Sequence, residues 1–192
     1  MADAKDSSMV DSKSSSTSPS QHQQHTSFFM AQDTLRILAI LLSAASIVVM
    51  VTNTQTVLLF SIRFQAHFYY SPSFKFFVAA NGVVTALSLL TLIVKLLMRQ
   101  QASRRKDYYF VLITHDIVMT VLLIAGCAAA TAIGYVGQFG EEHVGWQPVC
   151  DHVRKFCRTN LVSLLLSYVA FLAYLGVTIL SAYKCIASSP NN

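Results

Sequence analysis

The residues best equipped for chemistry in this sequence are Arg36 and Asp116, each set in otherwise apolar surroundings, and two cysteines, Cys150 and Cys157, on a polar stretch that also holds His143, Trp146 and His152. A charged side chain held away from water needs a counter-charge, so Arg36 and Asp116 are expected to meet as an ion pair that fixes how two elements pack. A proton or ion relay is the functional alternative. It needs a chain of ionisable groups, and only His115 stands beside Asp116. The two cysteines, with six residues between them (151–156), can close a disulfide or help bind zinc together with His143 and His152. The Cys-x-His spacing fits no common structural zinc pattern, which favours the disulfide. Gly-x-Ser-x-Gly, P-loop, His-Glu-x-x-His and Cys-x-x-Cys motifs are all missing from the sequence. No catalytic, cofactor or metal site is therefore expected, and the chain is read as a non-enzyme.

The elements that must carry these residues follow from the spacing of charge. Only 12% of the 192 residues are charged and 54% are hydrophobic, with a mean hydropathy of +0.50, about half the charged fraction of a soluble domain. Uncharged runs fill 37–62 (26 residues), 76–94 (19) and 159–183 (25), and a fourth apolar run from Tyr108 to Phe139 is broken only by His115 and Asp116. Each run is long enough to cross a bilayer, which takes about 20 residues. The spacing predicts an all-α integral membrane protein, a four-helix bundle with spans at about 34–58, 74–97, 108–136 and 159–184. The first 27 residues hold nine Ser and two Thr with Gln and His, so 1–30 is expected to be a disordered tail rather than a cleaved signal. A transmembrane domain over 31–187 and a short tail over 188–192 complete the organisation.

Four spans place both termini on one side, with the loop between the second and third spans. That side carries Lys5, Lys13, Lys95, Arg99, Arg104, Arg105, Lys106 and Lys184; the other carries Arg63, Lys75, Arg154, Lys155 and Arg158. The excess of basic residues predicts cytoplasmic termini. The external loops are then about 61–73 and 137–158, which puts Cys150 and Cys157 on the oxidising face and supports the disulfide. Arg36 lies eight residues after Phe28, and Asp116 eight after Tyr108. If these aromatics mark the interface, both charges reach about 12 Å into the membrane at 1.5 Å per residue.

Polar residues in the spans are periodic. Arg36, Ser43, Ser46, Met50 and Asn53 share one helical face, as do Asn81, Thr85, Ser88, Leu92 and Lys95, and again Asn160, Ser163, Ser167 and Tyr174. Such stripes hydrogen-bond neighbouring helices, or line a solvated path in a small channel or transporter, which is the alternative function. Gly126, Ala130 and Gly134 recur every four residues in the third span, a spacing that lets helices approach within the bundle or between copies. Aromatics crowd the first external loop, from Phe64 to Phe77, as an interfacial belt does.

The joint order of these features resembles the plant CASP-like family, the Casparian strip membrane domain proteins and their relatives. The resemblance rests on four spans, Arg36 in the first, Asp116 in the third, the segment FKFFVAAN (74–81) entering the second, and the loop WQPVCDHVRKFC (146–157) with Trp146, Cys150 and Cys157. It covers about 30–185. It implies a MARVEL-like, plasma-membrane, multi-pass scaffold that forms homodimers or higher homo-oligomers and hetero-oligomers with homologous four-span proteins. Its partners are then other membrane proteins and the lipid bilayer, with no nucleic acid. Founding members form immobile platforms that recruit wall-modifying enzymes. The loop SIRFQAHFYYSPS (61–73) lacks the short signature associated with Casparian strip localisation, so the resemblance implies a general scaffold rather than that barrier.

Overall fold

The computed structural model describes residues 19–59, 62–98 and 106–187. Four long helices account for most of them: α1 (Pro19–Thr52), α2 (Pro72–Met98), α3 (Lys106–Phe139) and α4 (Arg154–Ala187). Two strands, β1 (Gln55–Leu59) and β2 (Ile62–Ala66), pair as an antiparallel hairpin between α1 and α2. Short 3-10 turns cover Phe68–Tyr70 and Glu142–Val144. Proline opens α1 and α2, where a missing N–H costs nothing and the fixed φ already suits a helix. The Ser71 carbonyl accepts from Lys75 N at 3.1 Å, the first hydrogen bond of α2.

Helix α1 packs against α2 and α4, and α3 packs against α2 and α4, closing a ring with α1/α3 and α2/α4 on its diagonals. The centre holds one cluster around Ala39, Val84, Leu123, Ala170 and Tyr174, and another around Met50, Phe77, Cys127 and Ala130. The outside is as apolar as the inside: Leu41, Leu97, Val121 and Leu172 are more than half exposed. In water such a surface would drive aggregation; against hydrocarbon it is the expected face. The stretches Met30–Thr52, Pro72–Leu97, Val111–Phe139 and Arg154–Tyr183, of 23, 26, 29 and 30 residues, are long and apolar enough to cross a membrane. The protein is a four-span, multi-pass membrane protein of mostly α-helical fold.

The structure departs from the expected spans in three places. The first does not continue to 58: α1 ends at Thr52, and Gln55–Leu59 is strand. The uncharged run of 26 residues exceeds what the bilayer needs, and its surplus, rich in β-branched Thr54, Thr56 and Val57, turns into hairpin. Helix α1 also starts at Pro19, inside the segment expected to be tail; Gln, His, Phe and Met there offer no helix breaker. Helix α4 starts at Arg154 rather than 159, which draws Cys157 into its first turns. The Ser-rich segment before Pro19, residues 188–192, and the basic residues Arg99, Arg104 and Arg105 lie outside the described residues.

Candidate functional site

Arg36 and Asp116 meet across the α1/α3 diagonal. Arg36 Nη2 donates to both carboxylate oxygens of Asp116, at 2.6 Å to Oδ1 and 2.5 Å to Oδ2, and both side chains are buried. Excluding water makes such a charge-assisted contact short and hard to replace. His115 faces a neighbouring helix, its Nε2 3.3 Å from Thr91 Oγ1 on α2, and its Nδ1 also stands 3.4 Å from Asp116 Oδ1. A long imidazole reaches sideways around its own helix, so one contact links α3 to α2 while the other touches the pair. About one turn from Arg36, Asp33 accepts from Lys95 Nζ, tying α1 to α2. Nε and Nη1 of Arg36 have no hydrogen-bond partner among the described residues.

The polar stripes are joined helix to helix. Ser46 Oγ donates to the Ser163 carbonyl and Ser163 Oγ donates back to the Ser46 carbonyl, both at 2.8 Å, bringing the backbones of α1 and α4 together. Asn53 Nδ2 donates to Asn160 Oδ1 at 2.7 Å and to the Phe156 carbonyl at 2.8 Å. On the other diagonal, Tyr174 OH donates to Ser88 Oγ at 2.5 Å and Ser167 Oγ donates to Asn81 Oδ1 at 2.9 Å. Cys127 Sγ adds α3 to the latter pair, donating to Ser167 at 3.2 Å. Ser43 and Thr85 share a hydrogen bond of 2.8 Å between α1 and α2. Each such bond contributes about 0.6–2 kcal/mol in a membrane.

The loop after α3 folds into a cap. The Gly137 carbonyl accepts from the amides of Val149 and Cys150, both at 3.0 Å, and Glu141 and Trp146 exchange backbone hydrogen bonds. Gly140, at φ +73°, makes the turn; a Cβ there would lie 2.5 Å from the Trp146 carbonyl oxygen, so no other residue fits. Cys150 and Cys157 are joined as a disulfide, with Cα atoms 5.8 Å apart, anchoring the cap to the start of α4. That bond uses both thiols, which removes them from a zinc set with His143 and His152. The hairpin reaches the same place: Gln55 Oε1 accepts from the Phe156 amide at 2.7 Å, satisfying one of the orphan N–H groups at the start of α4, and Ala66 packs with Val153 and Phe156.

Of the small residues, Gly126 faces α2, where an added Cβ would stand 3.1 Å from Ala80 Cβ, and Ala130 is buried in the core. Gly134 has nothing within 4 Å of where a Cβ would stand, so the regular spacing does not make one continuous packing face. Trp146 is 57% exposed on the cap.

A family model described as the Casparian strip membrane protein domain matches residues 25–173. The chain belongs to that family. A CASP-like protein 1F2 of Ricinus communis is 47% identical over 171 residues, covering 89% of this chain and 85% of that protein. A CASP-like protein 1F3 of Populus trichocarpa is 39% identical over 169 residues (88% and 87%), and a CASP-like protein 1F2 of Vitis vinifera is 38% identical over 182 (95% and 92%). No solved structure matches the chain.

Within this CASP-like chain, sequence reasoning missed the Asp33–Lys95 pair and the Gln55 cap on α4. Lys95 reads as a topology signal, and Asp33 stands in a polar run at the mouth of a span, where a carboxylate needs no partner. Gln55 lies in an uninterrupted uncharged stretch, with nothing to mark it as the residue that leaves one element and completes another. Among the described residues no three His, Cys, Asp or Glu side chains converge as a metal site.

Proposed function

We propose that this CASP-like protein is a non-enzymatic plasma-membrane scaffold that assembles with copies of itself and with homologous four-span proteins, with both termini in the cytoplasm. The observation that carries this reading is the use of the interior polar groups. They join helix to helix across both diagonals, which gives a rigid unit and leaves little for a conduction path. Membership of the Casparian strip membrane protein domain family supports the same reading. The assembly gathers wall-modifying proteins at its external face, where the disulfide-pinned cap and the hairpin are presented.

The two unpartnered donors of Arg36 are the feature that favours a channel or transporter instead. That reading requires substrate flux that Asp116→Asn abolishes without loss of protein from the membrane. The scaffold reading is tested by counting photobleaching steps of singly tagged protein in plant-cell membranes. Two or more steps per spot support self-association; single steps throughout refute it.

A further inference from the structure

A cavity of about 1080 Å³ lies between the cap, the last turns of α3 and the first turns of α4. Its wall is apolar: Ile133, Gly134, Leu161 and Leu164 from the two helices, with Trp146 and Val149 from the cap. Gly134 gives it room, since nothing stands within 4 Å of a Cβ placed there. Leu161, Tyr135 and Phe139 line it and are more than half exposed, and all three belong to the apolar spans. The groove therefore opens sideways toward lipid.

Its dimensions and charge select an occupant. From Ala130 to Phe139 the α3 wall rises nine residues, about 14 Å at 1.5 Å each, close to half of a hydrocarbon core of about 30 Å. The groove thus has the depth of one leaflet. At its polar end stand Arg154 and Arg158, four residues apart on one face of α4. Both are exposed, and neither takes part in an ion pair among the described residues. Asp151 is the one carboxylate among the lining residues, so the rim is net positive. A second copy seated groove to groove would bring two net-positive rims together, since a two-fold contact seats one patch against its own copy.

We propose that this groove binds an anionic glycerophospholipid, one acyl chain lying against Gly134 and Leu164 and the headgroup phosphate held by Arg154 and Arg158. Trp146, the only tryptophan in the chain, lines the groove and reports on its contents. The test is quenching of Trp146 fluorescence in vesicles containing a small fraction of phosphatidylglycerol or phosphatidylcholine brominated near the top of the acyl chain. The purified full-length protein should prefer the phosphatidylglycerol by about 25-fold, each arginine supplying about fivefold. Arg154→Gln with Arg158→Gln should remove the preference while leaving quenching by phosphatidylcholine. Gly134→Phe, at a position with open space, should reduce quenching by both. Equal quenching by the two lipids in the native chain, or a preference that survives the arginine changes, would overturn the proposal. So would stronger quenching by a brominated sterol, or quenching that falls as protein density rises, which would put a second copy in the groove.

Discussion

At the scale of the residue, the interior turns on the buried Arg36–Asp116 charge pair. Removing Asp116 leaves a guanidinium in an apolar core, and breaking a buried pair from one side typically costs about 3–5 kcal/mol. Asp116→Ala is accordingly expected to lower thermal stability in detergent by an amount of that order. The double variant Arg36→Leu with Asp116→Leu should lose less than the sum of the single changes, because neither charge is then stranded. A double-mutant cycle on the unfolding midpoint checks this; additive losses would mean that the two side chains do not depend on each other. The pair was legible in the sequence because equal offsets from Phe28 and Tyr108 set Arg36 and Asp116 at one depth. The contact of His115 back to Asp116 was not, since a helical wheel fixes where Cβ points and not how far a long ring bends back.

At the scale of the element, the start of α4 is where three separate segments converge. Asn53 just after α1, Gln55 at the start of β1 and the Cys150–Cys157 bridge all act on residues 156–160. Closing so short a loop constrains the unfolded chain by about 2–3 kcal/mol. Replacing both cysteines by serine is expected to loosen the cap and leave the spans intact. Hydrogen exchange should then speed up at the Val149 and Cys150 amides, which are bonded to Gly137, while the interior of α3 and α4 stays protected. Unchanged exchange at those two amides would show that the cap holds without the bridge. The disulfide could be read from two cysteines placed on an external loop. The hairpin could not, because strand and span share one unbroken uncharged run, and only the surplus over bilayer thickness hinted that part of it lies outside.

At the scale of the whole molecule, four helices form a ring whose diagonals are tied by polar contacts and whose membrane-facing outside is largely apolar. Charge gaps alone gave the number of spans, because a charge at mid-membrane is costly enough to be rare. The small-residue spacing of α3 was less informative: the same period that packs Gly126 against α2 leaves Gly134 on an open groove. Among the described residues, a ring closed on itself in this way leaves its outer faces and its cap for contact with other copies.

The most direct measurement is fluorescence recovery after photobleaching of the tagged protein at the plasma membrane of plant cells, comparing the native chain with Arg36→Ala and Asp116→Ala. Slow recovery of the native protein, with fast recovery or failure to reach the surface in both variants, is the result expected of an assembled scaffold built on this bundle. Fast recovery of the native protein, equal to that of both variants at the surface, would contradict it.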